Sequence, residues 1–275
     1  MILIILIALG LSLGSFINAL VWRLHEQTKV KGKGSKSRNL SIFNGRSMCP
    51  NCRHKLAAND LVPVLSWLWL KGKCRYCNKP ISIQYPAVEL LTAALFVFSY
   101  LYWPFAWGGQ GTTIFVFWIV FLVGLLGLAI YDIKWQLLPN KVVFVLMYLA
   151  VLQALLLVFV FHGGLHQLEQ IVLSFVVGGG LFYMLFQISS GKWIGGGDVK
   201  LGMLLGLLLA NPSLSVFMIF VASLLGSAVS IPLLATKKVK RTTRIPFGPF
   251  LIAGTIIARL FGQSIITWYR HKLLI

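Results

Sequence analysis

Long apolar runs separated by short polar gaps constrain this chain more than any other feature of its sequence. About eight runs approach the roughly 20 residues that a helix needs to cross about 30 Å of hydrocarbon. A soluble domain is about 45–50% apolar, whereas 58% of these 275 residues are hydrophobic. The sequence therefore predicts an all-α polytopic membrane protein with about eight transmembrane helices. We place the predicted spans at 1–22, 83–103, 113–131, 142–161, 169–188, 199–210, 213–235 and 248–268.

Basic residues are concentrated in or beside alternate gaps between these spans. Among the 25 Lys and Arg, only Arg259, Arg270 and Lys272 lie elsewhere. The positive-inside rule makes the basic side cytoplasmic, so both termini face outward. The net charge of +19 is then mainly a topology signal that also attracts anionic membrane lipid. A membrane-anchored nucleic-acid binder is the alternative for such a charge, but no nucleic-acid partner is expected.

A long polar segment at 23–82 divides the chain into three regions. The first is a transmembrane helix at 1–22, the second a cytoplasmic basic insert at 23–82, and the third a multi-span core at 83–275. Within the insert, the stretch from Lys29 to Asn39 is rich in Lys, Gly and Ser. This composition is typical of a mobile linker.

Four cysteines in the insert form two C-x-x-C pairs, Cys49 with Cys52 and Cys74 with Cys77, with 21 residues between the pairs. This spacing predicts a tetrahedral zinc site of structural type, since four thiolates leave no open position for a metal-bound water. The alternative is two disulfides or inert thiols, and a cytoplasmic location disfavours disulfides. The apolar stretch at 61–70 between the pairs predicts either a small core or a surface on the bilayer.

Three of the six acidic residues, Glu89, Asp132 and Asp198, lie at or near apolar spans. Ionisable groups there are costly and indicate function. Asp132 closes the third predicted span and Asp198 opens the sixth, so two whole spans separate them and both face the cytoplasmic side. Two such carboxylates can share a proton and act as general acid and base on a water.

Other interpretations of these acids remain open. Asp198 is also suited to capping a helix N-terminus, and Asp132 can pair with Lys134. A proton-coupled membrane transporter is the main alternative function, because carriers also place isolated acids within spans.

Several short sequence blocks follow one another in a fixed order along the chain. They are Gly14–Asn18 with Trp22–Leu24, Cys49–Cys52, Leu65–Trp67, Gly72–Cys77, Tyr85–Leu90, Tyr131–Asp132 with Leu138–Pro139, Gly195–Lys200 and Ile245–Phe250. In this order they resemble the bacterial prepilin peptidases, a family of G-x-G-D aspartyl proteases, over nearly the whole chain. One departure is Asn140, where the family often carries Asp after the proline.

The resemblance implies proteolysis of the short basic leader of type IV prepilins and related pseudopilins. It also implies methylation of the new N-terminal amine with S-adenosylmethionine, in a multi-pass protein of the bacterial cytoplasmic (inner) membrane. It maps the catalytic aspartates to Asp132 and Asp198, and the four cysteines to a zinc-type cluster. It assigns no methyl-donor residues. Glu89, where the insert meets the membrane, is the acid that we expect there, with a salt bridge to a basic insert residue as the alternative.

Overall fold

The computed structural model describes residues 1–29, 45, 47–236 and 245–273. The predicted linker beyond Lys29 and the basic run at 237–244 lie outside the described residues. Within them the chain is mostly helical, and its β-pairing is limited to two isolated bridges, Met48 with Lys55 and Lys73 with Pro80.

The described part of the chain contains helices of very different length, numbered in chain order. They are α1 Ile2–Lys29, α2 Leu65–Trp69, α3 Gln84–Leu101, α4 Gly109–Trp135, α5 Asn140–Leu155, α6 Gly164–Ile188, α7 Gly196–Leu209, α8 Pro212–Ala235, α9 Gly248–Ile257 and α10 Gln263–Leu273. A π-helical segment, Leu156–Val160, extends α5, and a second, Ala258–Gly262, joins α9 to α10. Seven of the resulting helices are long and apolar enough to cross a membrane, which confirms the predicted all-α membrane fold.

The sixth predicted span, 199–210, is a shorter element than a full crossing. It corresponds to α7, which has 14 residues and therefore rises only about 21 Å. The helix ends because Ala210 adopts a left-handed conformation with φ of 52°. Asn211 then caps α8 directly, its side chain accepting the backbone N–H groups of Ser213 and Leu214. No polar linker separates the two helices, and α7 begins before the predicted span, at Gly196.

The contacts divide the chain into two compact units. Unit 1 comprises residues 1–101 and 122–127, and unit 2 comprises 102–121 and 128–275. In unit 1, α1 and α3 touch at their backbones. A Cβ added to Gly10 would lie 2.5 Å from Ala93 Cα, and one added to Gly14 would lie 2.6 Å from Glu89 Cα. These two glycines bring Glu89 against α1, because any larger side chain there would separate the helices.

In unit 2, small residues pack α6 closely against α7. The Ser174 hydroxyl on α6 donates to the backbone carbonyl of Gly206 on α7 at 2.7 Å, and Cβ atoms at Gly178 or Gly206 would collide with the facing backbone. The leucines of α7 at 201, 204, 205 and 208 are fully buried. This packing fixes α7, and with it the position of Asp198 at the beginning of the helix.

Candidate active site

Asp132 lies in the last turn of α4, where its side chain is buried with only 5% exposure. The backbone N–H of Gly248, the first residue of α9, hydrogen-bonds to this carboxylate. One oxygen of the carboxylate, Asp132 Oδ2, is buried and has no hydrogen-bond partner among the described residues. Buried polar atoms in folded proteins are nearly always paired, and exceptions are found at reactive groups. The alternative pairing with Lys134 does not occur, because that ammonium lies over the Trp135 ring, 5.6 Å from its centroid.

Asp198 is the third residue of α7, and Gly195 is the N-cap residue of that helix. The backbone N–H of Gly195 hydrogen-bonds to the Asp198 carboxylate, which is the N3-to-N-cap half of a capping box. Asp198 therefore does not occupy the capping position itself. Like Asp132, it is held by a backbone N–H at a helix N-terminus, where the helix dipole favours negative charge.

The loop between α4 and α5 brings the two aspartates to the same end of unit 2. Lys200 Nζ, in the first turns of α7, donates to Asn140 Oδ1 at 3.1 Å. A Cβ added to Gly197 would lie 3.3 Å from Leu138 Cδ1. The carboxylates of Asp132 and Asp198 are close enough to repel each other. The structure thus places the predicted pair within electrostatic range of each other, and Asn140, the departure from the family pattern, offers Lys200 an uncharged acceptor.

Gly248 lies in the sequence block Ile245–Phe250, and its part in the site becomes visible only in the structure. A Cβ at this position would lie 2.6 Å from Asp132 Oδ2 and 3.5 Å from Leu201 Cδ2, so only glycine lets α9 begin directly against the carboxylate. Pro249 follows within the first two positions of the helix. Proline in the first turn is typical of a helix N-terminus, so Pro249 is the sequence signal for where α9 begins. The distance to Asp132 was not readable from the sequence.

The four cysteines of unit 1 form one cluster. Their sulfur atoms all lie within 4.8 Å of one another, and Cys49 Sγ is 3.9 Å from Cys77 Sγ. A disulfide would require about 2.05 Å, and all four thiols are free. A tetrahedron with bonds of about 2.3 Å has edges near 3.8 Å. The cluster therefore could hold a metal ion, as the two C-x-x-C pairs predict.

The two halves of the cluster repeat the same backbone turn. The N–H of Arg53 donates to the Cys49 carbonyl at 2.9 Å, and the N–H of Asn78 donates to the Cys74 carbonyl at 2.9 Å. Arg53 and Asn78 both have positive φ, 58° and 53°. Such turns aim backbone N–H groups at the sulfurs. Burial raises the pKa of the Cys49 thiol, but hydrogen bonds from the N–H groups of Cys52 and Asn51 and from the thiols of Cys74 and Cys52 outweigh burial and lower it to about 7, which favours the thiolate.

Glu89 is buried on α3 and is held by two elements of unit 1. Its Oε2 accepts the backbone N–H of Val64 at 2.7 Å, and the Ser15 side chain on α1 also hydrogen-bonds to it. In the described part of the chain no basic side chain pairs with Glu89, so the expected alternative of a salt bridge is not observed there. The acid instead ties the insert to the apolar helices.

The backbone of Val64, whose N–H donates to Glu89, has a strained conformation. Its φ of 61° and ψ of −52°, with the Leu65 N–H donating to the Pro63 carbonyl at 2.6 Å, define a γ-turn. This turn is rare and strained, the more so at a β-branched residue. Strain of this kind is concentrated at functional sites. Here the turn aims α2, and hence Trp67, at the cavity beside Glu89.

That cavity is enclosed by α1, α3 and the insert within unit 1. It has a volume of about 130 Å³, smaller than the about 300–1,000 Å³ of typical ligand pockets. Its wall contains acidic, basic and aromatic side chains together. They are Glu89, Asp60, Arg23, Arg75, Trp22, Trp67 and Tyr85.

Asp60 differs from the solvated residue that its place in the polar insert suggests. Its side chain is only 3% exposed and pairs with Arg75 at 2.7 Å. Burial raises the pKa of this carboxyl, but the hydrogen bonds from Arg75, the Ala57 N–H and Tyr76 outweigh burial and leave the pKa lowered. Asp60 thus fastens the first part of the insert to the second cysteine turn.

Comparison with known proteins agrees with both units. The bacterial Peptidase A24 N-terminal domain matches residues 8–103, and the Type IV leader peptidase family matches residues 119–231. No solved structure matches the chain.

Curated relatives cover almost the whole chain. A protein of Aeromonas hydrophila named prepilin leader peptidase/N-methyltransferase is 33% identical over 94% of this chain and 91% of its own length. One of the same name from Bacillus subtilis (strain 168) is 33% identical over 84% of this chain and 88% of its own. A third protein of this name, from Neisseria gonorrhoeae, is 32% identical over 90% of this chain and 87% of its own length.

Proposed function

The chain belongs to the type IV leader peptidase family, and on that premise we propose that it cuts the basic leader from type IV prepilins and pseudopilins. We assign the cleavage to Asp132 and Asp198. The observation that supports this assignment is that their carboxylates lie within electrostatic range of each other at one end of unit 2, each beside a backbone N–H at a helix N-terminus.

The chemistry follows from two carboxylates that repel each other and therefore hold one proton between them. The ionised carboxylate takes a proton from a water, whose oxygen attacks the scissile carbonyl. The protonated carboxyl donates to the carbonyl oxygen, and the proton taken from the water then passes to the leaving amine as the C–N bond breaks. The N–H groups of Gly248 and Gly195 keep the two acids in place through these steps.

We place this site at the cytoplasmic edge of the bacterial inner membrane. Support comes from Lys134 and Lys141 around the α4–α5 loop and from Lys192 and Lys200 around the α6–α7 loop, since basic loops remain on the cytoplasmic side. A prepilin with a basic leader and an apolar helix would then present its scissile bond at the same depth as Asp132 and Asp198.

Cleavage is tested with the purified chain in detergent and a synthetic peptide that joins a basic leader to an apolar helix. We expect one cut between the two parts, identified by mass spectrometry of both products. Proton-driven solute uptake by the chain in proteoliposomes, without any cleavage of the peptide, would instead favour the transporter.

We assign a structural zinc ion to the four cysteines of unit 1. The ligand set is the one that zinc prefers, and the 3.9 Å between Cys49 Sγ and Cys77 Sγ suits its bond lengths. Bound zinc would cross-link the two cysteine turns, and Asp60 with Arg75 would reinforce the same connection. It would take no part in the proteolysis proposed for unit 2.

Substitution of Cys74 by Ser is expected to reduce the zinc content of the purified chain from about one ion to background. The measurement is metal analysis by inductively coupled plasma mass spectrometry. Asn51→Ser, an exposed change in the other cysteine turn, serves as the control and should keep its zinc. Equal zinc in both variants would contradict the site.

The methyl donor, S-adenosylmethionine, is assigned to the cavity beside Glu89. When bound, it supplies a methyl group from a sulfonium centre. The donor set fits the molecule: Glu89 complements its positive charges, Arg23 complements its carboxylate, and Trp22, Trp67 and Tyr85 offer faces for an adenine ring or a sulfonium. Glu89 also holds the Val64 turn that positions Trp67.

Substitution of Ala19 by Phe should block donor binding without removing any of these groups. Ala19 lines the cavity, so a benzyl group there fills space that the donor needs. We expect the dissociation constant for S-adenosylhomocysteine, measured by calorimetry, to rise at least about tenfold, which corresponds to about 1.4 kcal/mol.

Ala8→Phe, an exposed change on the same helix, is the matched control and should bind normally. Leader cleavage should persist in both variants. Normal binding by Ala19→Phe would overturn the donor site, while the peptidase assignment, which rests on unit 2, would be unaffected.

A further inference from the structure

A second cavity lies in unit 2 at the opposite end from the aspartates. Asp198 begins α7 and Leu209 ends it. Gly248 begins α9, whereas Arg259 lies in the π-helical segment that follows it. The cavity measures about 230 Å³ and includes Leu209 and Arg259 in its wall. Five amide side chains and one guanidinium supply its polar groups: Gln110, Gln153, Gln167, Asn211, Gln263 and Arg259.

Arg259 forms the floor of this cavity and is buried, with 4% exposure. Its Nη2 donates to the Leu208 carbonyl in the last turn of α7, and its guanidinium lies 5.7 Å from the Phe105 ring centroid and 5.8 Å from that of Trp118. Its Nε has no partner among the described residues, and no acidic residue lines the cavity. A buried cation without an anion is costly, and the helix carbonyl supplies only a partial charge.

Gln153 is the second buried group, with 3% exposure. Its Oε1 has no hydrogen-bond partner in the described part of the chain. Gln110 and Gln263, in contrast, are exposed at the mouth. Gln110 is the second residue of α4, and Gln263 is the first of α10. The cavity thus has a buried polar floor and an open polar mouth near helix ends, the depth at which headgroups lie.

We propose that this cavity binds a phosphate-class oxyanion, held by the guanidinium of Arg259 and by the surrounding amide N–H groups. A guanidinium fork matches phosphate oxygens geometrically, and the bound anion would neutralise the unpaired cation. In the bilayer the nearest source is the headgroup of an anionic phospholipid. A headgroup that also carries hydroxyls, as in phosphatidylglycerol, would donate to Gln153 Oε1 and so satisfy both buried atoms.

The test is thermal unfolding of the full chain, purified in neutral detergent, with added phosphatidylglycerol, phosphatidylcholine or inorganic phosphate. We expect phosphatidylglycerol to raise the melting temperature of the wild type by about 5 °C, and phosphatidylcholine to leave it unchanged. The basic loops also attract anionic lipid, so the decisive quantity is the difference between wild type and variants. An equal rise with inorganic phosphate would support the site with free phosphate as its source.

Arg259→Met and Gln153→Met should both lose the rise while keeping similar side-chain volume. Gln187→Met is an exposed change at the end of α6 that lies away from the cavity residue Gln167, and it should keep the rise in melting temperature. If Arg259→Met does not fold, the rise in melting temperature of Gln153→Met, compared with that of the wild type, tests the proposal. An undiminished rise in the cavity variants, or no rise in the wild type, would overturn the proposal and leave Arg259 as a structural partner of α7 and the two rings.

Discussion

Replacement of Asp132 or Asp198 by Asn is expected to lower the rate of leader cleavage by at least about a thousandfold. General acid–base catalysis alone contributes about 10²–10⁴, and an asparagine can neither accept the water proton nor pass it on. Because the side chains are nearly isosteric, the hydrogen bonds from Gly248 and Gly195 have a matching acceptor in each variant. The measurement is the initial rate of peptide cleavage by purified enzyme at saturating substrate.

Glu169→Gln provides a matched control, since it removes an exposed acid of unit 2 with the same chemical change. It should cleave at the wild-type rate. Folding of the two aspartate variants is checked by S-adenosylhomocysteine binding, which reports on unit 1, and by their melting temperatures. A folded variant that keeps more than about a tenth of the wild-type rate would remove that aspartate from catalysis, since even a modest acid–base contribution exceeds tenfold.

Substitution of Gly248 by Ala should lower kcat about a hundredfold, although it adds a single methyl group. That methyl would lie 2.6 Å from Asp132 Oδ2, so either the carboxylate or the start of α9 must move. Displacement of a catalytic group by about 1 Å can cost about 10² in rate. Alanine is otherwise the better helix former by about 1 kcal/mol, so we expect no large loss of stability.

Gly180→Ala is the control for the same chemical change in another helix of unit 2. Its added methyl would meet its nearest neighbour, Val176 Cγ1, at 3.7 Å, an ordinary contact. Steady-state kinetics should therefore show a loss of kcat in Gly248→Ala alone, with KM similar in both. Equal kcat for the two variants would mean that the contact between Gly248 and Asp132 does not matter for catalysis.

The membrane fold was predictable from the apolar runs, and the placement of both aspartates at the same end of unit 2 was predictable from chain parity. Apolar runs mark the spans, and an even number of crossings between Asp132 and Asp198 returns the chain to the same side. The cysteine cluster was predictable for a similar reason, since each C-x-x-C pair places two sulfurs on one local turn. In each case, the outcome follows from the order and spacing of residues along the chain.

Residues whose roles depend on contacts between distant segments were not predictable. Gly248 acts through its distance to Asp132, which α9 sets by packing after a long polar gap. Asp60 lies in a polar segment of the sequence, yet its side chain is buried and pairs with Arg75 from the second cysteine turn. In the sequence, Arg259 was only a basic residue outside the predicted cytoplasmic loops. Its burial depends on the π-helical segment and on rings 141 or more positions earlier in the chain. The periodicity of apolar residues along the sequence contains no information about such contacts between distant segments.

The pairing of Asp132 with Asp198 is tested most directly by single-turnover cleavage with Asp132→Asn, Asp198→Asn and the double variant. Residues that act as one unit show strongly non-additive losses. If the carboxylates share one proton, all three variants should have the same residual rate, because either substitution alone destroys the pair. A double variant slower than both single variants, by the product of their separate effects, would show that the two aspartates act independently and would contradict the shared-proton mechanism.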